Sequence, residues 1–211
     1  YKIFQGYLSL EGLANRITPF SFNSAIPNPD LLYENLMNNF SFGGLKDNPD
    51  MLLDENVHRS FNTLVFVYSE AIKTLIDKNP EKGKELATFF MRELPIDPLL
   101  GGRNQISYFN LPKMLYKLEM NDEVNQVMAY LTKFAEEELI YLAKVEQGDE
   151  TEKTISGAYT NELLRYMDQT LGFALQSDTG DNGITTFSID SAVESTVNGM
   201  FTLLTNYVTP G

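Results

Sequence analysis

Apolar residues from position 57 onward recur at steps of three and four, the period of a helix with one buried face. Leu64, Tyr68, Ala71, Ile72 and Leu75 form the first such stripe, and the turn residues of "KNPEKG" interrupt it. Leu86, Phe89, Phe90 and Leu94 form a second stripe that stops at Pro95, because a proline inside a helix lacks a donor and clashes with the preceding turn. "PIDPLLGGRNQ" then reads as a linker. Two helices joined by so short a turn are expected to form an antiparallel hairpin. The unit recurs with Tyr108, Leu111, Leu115 and Leu118, a break at "EMND", then Val124, Val127, Met128, Leu131 and Phe134. This spacing is near that of tetratricopeptide units, with two departures. Glu119 stands where a glycine usually makes the turn, and Val124 replaces the small residue that lets the helices approach. The pattern fits true tetratricopeptide units and generic helical hairpins equally well.

Beyond the second hairpin, "AEEELIYLAKVEQGDETEK" continues the fourth helix as far as Gly148, with Glu136, Glu137 and Glu138 read as a solvated face. A fifth helix is expected to carry Leu163, Leu164, Met167, Leu171 and Leu175, ending at "SDTGDNG". The last helix is expected from about Ile189 to Tyr207, with Ser191 and Glu194 at capping-box spacing near its start. Residues 1–45 have little regular periodicity. "YKIFQGYLSLEGLANRITPF" reads as a short helix followed by extended chain, "SFNSAIPNPD" as a connector, and "LLYENLMNNF" as a helix. Such a segment would ordinarily lie over a neighbouring surface. The expectation is an all-α fold and a single globular domain over residues 1–211. In it an irregular segment (1–56) precedes two tetratricopeptide-like hairpins (57–147) and C-terminal helices (148–211).

Composition narrows the partners. The chain carries 16 basic and 29 acidic residues, a net charge of -13, which repels phosphate backbones and anionic headgroups; nucleic acid is an unfavourable partner. There is no cysteine, which removes disulfides, thiolate nucleophiles and zinc ribbons, and with them a thiol redox role. The longest purely apolar runs, such as "LVFVY" at Leu64 to Tyr68, fall far short of the roughly 18 to 20 residues of a membrane-spanning helix, so no membrane insertion is expected. The start at Tyr1, with no leader pattern, suggests a piece of something longer.

Titratable groups gather most tightly in "DNPDMLLDENVHRSFN", where Asp47, Asp50, Asp54 and Glu55 accompany His58, the only histidine. "DNPD" is a turn signal, Asp54 suits an N-cap, and Glu55 lies where the helix dipole favours negative charge. Asp54 with His58 and Glu55 with Arg59 stand four apart and can pair along one helix face. Helix initiation accounts for every charge, while a divalent-metal or acid/base site around Asp54 and His58 is the sharper alternative. "DTGDNG" at Asp178 to Gly183 resembles the start of a calcium loop, but Gly180 sits where the second acid belongs and Ile189 where the closing Glu belongs. No phosphate-binding glycine loop, nucleophile elbow or paired-histidine zinc helix is present, so neither a cofactor nor a metal is expected.

Together, "GYLSLEGLANRITPF", "LLYENLMNNFSFGGLKDNPDMLLDENVHRSFN" and the two hairpins after them resemble the C-terminal soluble region of large bacterial membrane proteins of the protein O-mannosyltransferase type, long catalogued as a domain of unknown function. The likeness is firmest over residues 6–62, reaches to about residue 142, and is lost in the last stretch. The matching positions are Glu11, Gly12, Leu13, Ala14 and Arg16; Tyr33, Glu34, Asn35, Leu36 and Met37; and Leu53, Asp54, Glu55, Asn56 and Arg59. The resemblance implies a non-catalytic, extracytoplasmic (periplasmic) domain at the end of a polytopic glycosyltransferase whose sugar-transferring acid lies elsewhere. It also implies a protein or peptide partner, the membrane portion of the parent chain included, with Asp54, Glu55, Asn56 and Arg59 as signature residues of structural or binding use. A free-standing peptide-binding scaffold is the alternative, and a small hydrolase or metal-dependent enzyme built on Asp54 and His58 is a third.

Overall fold

A computed structural model describes residues 6–21, 23, 26, 28–42, 44–48, 54–94, 105–145, 150–173, 175–179 and 185–208. The fold is all-α with an irregular N-terminal segment, and seven α-helices lie among the described residues. The contacts gather into two compact units, Tyr1–Ser107 and Tyr108–Gly211, where the sequence reads as one domain.

The first unit opens with a β-hairpin, β1 (Leu8–Leu10) antiparallel to β2 (Asn15–Ile17), with Ser9 opposite Arg16. This replaces the expected short helix. Gly6 and Gly12 both adopt positive φ, which lets the chain turn back on itself before a helical turn can form. Helix α1 (Pro29–Asn38) begins where Asn28 accepts the Leu31 N–H at 3.0 Å and Pro29 supplies a preset first residue. A 3-10 turn, Leu45–Asp47, leads towards α2 (Glu55–Lys78), and α3 (Pro80–Glu93) follows after the single residue Asn79. Helix α1 packs on both α2 and α3. The core between them is aromatic: Tyr68 and Phe90 are fully buried with ring centroids 5.4 Å apart, and the Tyr68 hydroxyl donates to the Leu36 carbonyl at 2.8 Å. Leu32, Leu36, Val65, Ile72, Leu75 and Leu86 complete it. Each such side chain contributes about 1.5 to 3 kcal/mol by leaving water.

A 3-10 turn, Gln105–Asn110, runs into the second unit and precedes α4 (Leu111–Lys117), which is short because Leu118 and Glu119 turn into α5 (Asn121–Val145). Helix α6 (Glu150–Leu171) is followed by a second β-hairpin, β3 (Leu175–Thr179) with β4 (Thr185–Ile189), and then α7 (Glu194–Val208). Two expectations are corrected here. Leu175 belongs to β3 and not to the fifth helix, and Ile189 closes β4 five residues before α7 begins. Helix α5 packs against α4, α6 and α7, and its Val124, Val127, Met128, Leu131 and Leu139 are all buried. Val197 and Met200 on α7 are buried, and so is Val193 just before it, as the spacing predicts. Glu136 and Glu137 are exposed and Glu138 is half-buried. Residues 95–104, 146–149 and 180–184, which include the expected linker and the "GDNG" stretch, lie outside the described residues. Among the described residues no helix is long and apolar enough to cross a membrane.

Candidate functional site

The charged stretch before α2 resolves first. Asp54 adopts extended φ and ψ of -74° and 168°, and its Oδ1 accepts the N–H groups of Asn56 at 2.8 Å and Val57 at 2.9 Å. Two main-chain donors that the helix leaves unpaired are satisfied by one carboxylate oxygen, so Asp54 is an N-cap, as its position predicts. Asn56 is exposed and its carbonyl accepts from the Ser60 hydroxyl at 3.0 Å. The Arg59 carbonyl accepts from the Thr63 hydroxyl at 3.0 Å. The side chains of Glu55 and His58, and Pro49 to Leu53, lie outside the described residues, and so do the two pairings predicted for Glu55 and His58. Among the described residues no group of three or more His, Cys, Asp or Glu side chains could hold a metal ion. The side chains of the calcium-like stretch from Asp178 lie outside the described residues.

The other two signature segments meet at a different place. The turn between β1 and β2 is held to α1 by Asn35, whose Nδ2 donates to the Glu11 carbonyl at 2.8 Å. The Glu11 carboxylate pairs with the Arg16 guanidinium at 2.9 Å and accepts from the Ser9 hydroxyl at 3.4 Å. Gly12 has φ of +144°, and a β-carbon there would meet the Phe40 ring at 3.4 Å. Glycine is favoured by that backbone angle, while the ring would meet a β-carbon at ordinary van der Waals distance. A cavity of about 440 Å³ results, lined by Glu11, Leu13, Arg16, Asn35, Asn39 and Phe40 among others. The Asn39 amide donates to Asn35 Oδ1 at 2.9 Å, so a chain of carboxamides forms one wall. Asp54, Asn56 and Arg59 are not among its lining residues.

A second depression runs along α3. Two cavities of about 330 Å³ each share Met37 and Phe89 in their lining. Arg92 stacks over the Phe89 ring at 5.3 Å from its centroid and donates to Glu93 at 2.7 Å, while Lys46 reaches the same carboxylate at 3.3 Å. Those two donors hold the Glu93 carboxyl below the usual carboxylate range, Arg92 contributing most. Further along the seam between α1 and α3, Tyr33 donates to Glu85 and Lys82 pairs with Asp30. The hydrogen bond to Glu85 pushes the Tyr33 phenol up to about 12, and the bond to Asp30 raises the Lys82 ammonium. Burial raises Tyr68 and Tyr108, and the Ala192 N–H with the Tyr116 hydroxyl lowers Asp190.

Each of these shifts carries its group away from neutrality. The depressions are lined by paired charge, carboxamides and aromatic faces. Sequence reasoning singled out Glu11, Gly12, Asn35 and Met37 by resemblance. It missed Asn39, Phe40, Lys46, Arg92 and Glu93 as wall residues, because the local pattern does not show which elements line a depression together. Comparison with family models, with curated proteins and with solved structures finds no match for this chain.

Proposed function

We propose that this chain is a non-catalytic binding domain that holds a protein or peptide segment, and that it serves as the extracytoplasmic C-terminal part of a membrane glycosyltransferase whose chemistry lies in other segments. The observation that carries the reading is the cavity between the β1–β2 turn and α1. Its wall is preorganised by Asn35, Glu11 and Gly12, and its charges are already neutralised within the fold. A site prepared in this way loses little entropy when it engages a partner. The paired charge, carboxamides and aromatic faces that line the depressions support a recognition surface.

The test has two arms. Extended peptides titrated into the isotope-labelled chain are expected to move the amide signals of Gly12, Asn15, Asn35 and Asn39, and Asn39→Ala is expected to weaken that response. Glycosyl transfer from a lipid-linked or nucleotide sugar by the purified chain, abolished by a point substitution within it, overturns the reading.

A further inference from the structure

We draw no further inference here: the strongest candidate, the exposed apolar side chains Tyr7, Leu13, Ile17 and Phe20 on the N-terminal β-hairpin, carries nothing because nothing in the structure shows what covers them.

Discussion

The two helical hairpins turn their corners by opposite means. Between α2 and α3 a single residue does both jobs: the Asn79 N–H closes α2 on the Leu75 carbonyl at 2.7 Å, and its Oδ1 caps α3 at the Lys82 N–H at 3.2 Å. Pro80 then starts α3 with its angle preset. Between α4 and α5, Glu119 takes a φ of +58°, the left-handed region that glycine prefers. Its N–H bonds the Tyr116 carbonyl at 3.0 Å and the Met120 N–H bonds the Leu115 carbonyl at 3.0 Å, the pair of bonds that defines a Schellman turn. Met120 and Leu115 are both buried, and the apolar contact expected between these positions of the turn favours the bend. One corner is made by residues whose local preferences agree with it. The other is imposed on a residue that resists it, and the core beyond offsets the strain.

If the core dominates in the first unit, removing its centre costs more than removing the corner. Tyr68→Ala is expected to destabilise by about 3 to 5 kcal/mol, since a fully buried aromatic leaves a void between α1, α2 and α3. Tyr68→Phe isolates the hydrogen bond to the Leu36 carbonyl and is expected to cost about 0.5 to 1.5 kcal/mol. Urea unfolding measures both. A Tyr68→Ala cost no larger than that of a cap substitution would mean that the corner, and not the packing, organises this unit.

The corners themselves come next. Asn79→Ala is expected to cost about 1 kcal/mol, and Asn79→Asp to keep most of the cap; Asp54→Ala and Asp54→Asn should repeat the pattern at the start of α2. Glu119→Gly should act in the opposite direction. Relief of the left-handed strain, roughly 1 to 2 kcal/mol, outweighs the added freedom of glycine in the unfolded chain and leaves a gain of about 0.5 to 1 kcal/mol. A loss on that substitution would show that the Glu119 side chain contributes more than its backbone costs. A melting series with and without calcium or magnesium also returns to Asp54: a capping residue predicts no metal-dependent rise.

These corners also mark what could be read from the sequence. The Asn79 and Asp54 caps are local, a side chain reaching its own main chain two or three residues on, so residue type and position suffice to foresee them. The stripes of α2, α3, α5 and α7 were equally legible, because burial on one face imposes the helical period. The β-hairpins were not. All three residues of β2 are exposed, and β3 reads Leu-Gln-Ser-Asp-Thr, so neither strand shows the apolar alternation that would announce it. The Glu119 corner was visible only as a departure, a charged residue where glycine was expected, and its left-handed angle explains the position. The cavity beside α1 depends on Asn35 reaching Glu11 across 24 residues, and no period encodes such a meeting.

The smallest effect separates two carboxylates, one from each unit, that are lowered by different chemistry. Glu93 is held by the charged Arg92 and Lys46, whereas Asp190 is held by neutral donors, the Ala192 N–H at 2.9 Å and the Tyr116 hydroxyl at 2.9 Å. In each case the folded-state value lies below the unfolded one. The stabilisation is therefore fully present above the ordinary carboxylate range and is lost as pH falls through the folded value. The advantage of the parent chain over Asp190→Ala in melting temperature should shrink on acidification, and so should its advantage over Glu93→Ala. Salt then distinguishes them, because mobile ions screen a charge pair at the surface far more than a hydrogen bond from a neutral donor. Carboxyl carbon titrations by NMR at about 0.05 M and about 1 M salt should move the Glu93 midpoint up towards its ordinary value and leave that of Asp190 nearly in place. Equal movement of both midpoints would mean that Asp190 is lowered by the field of distant charges and not by the two donors that touch it.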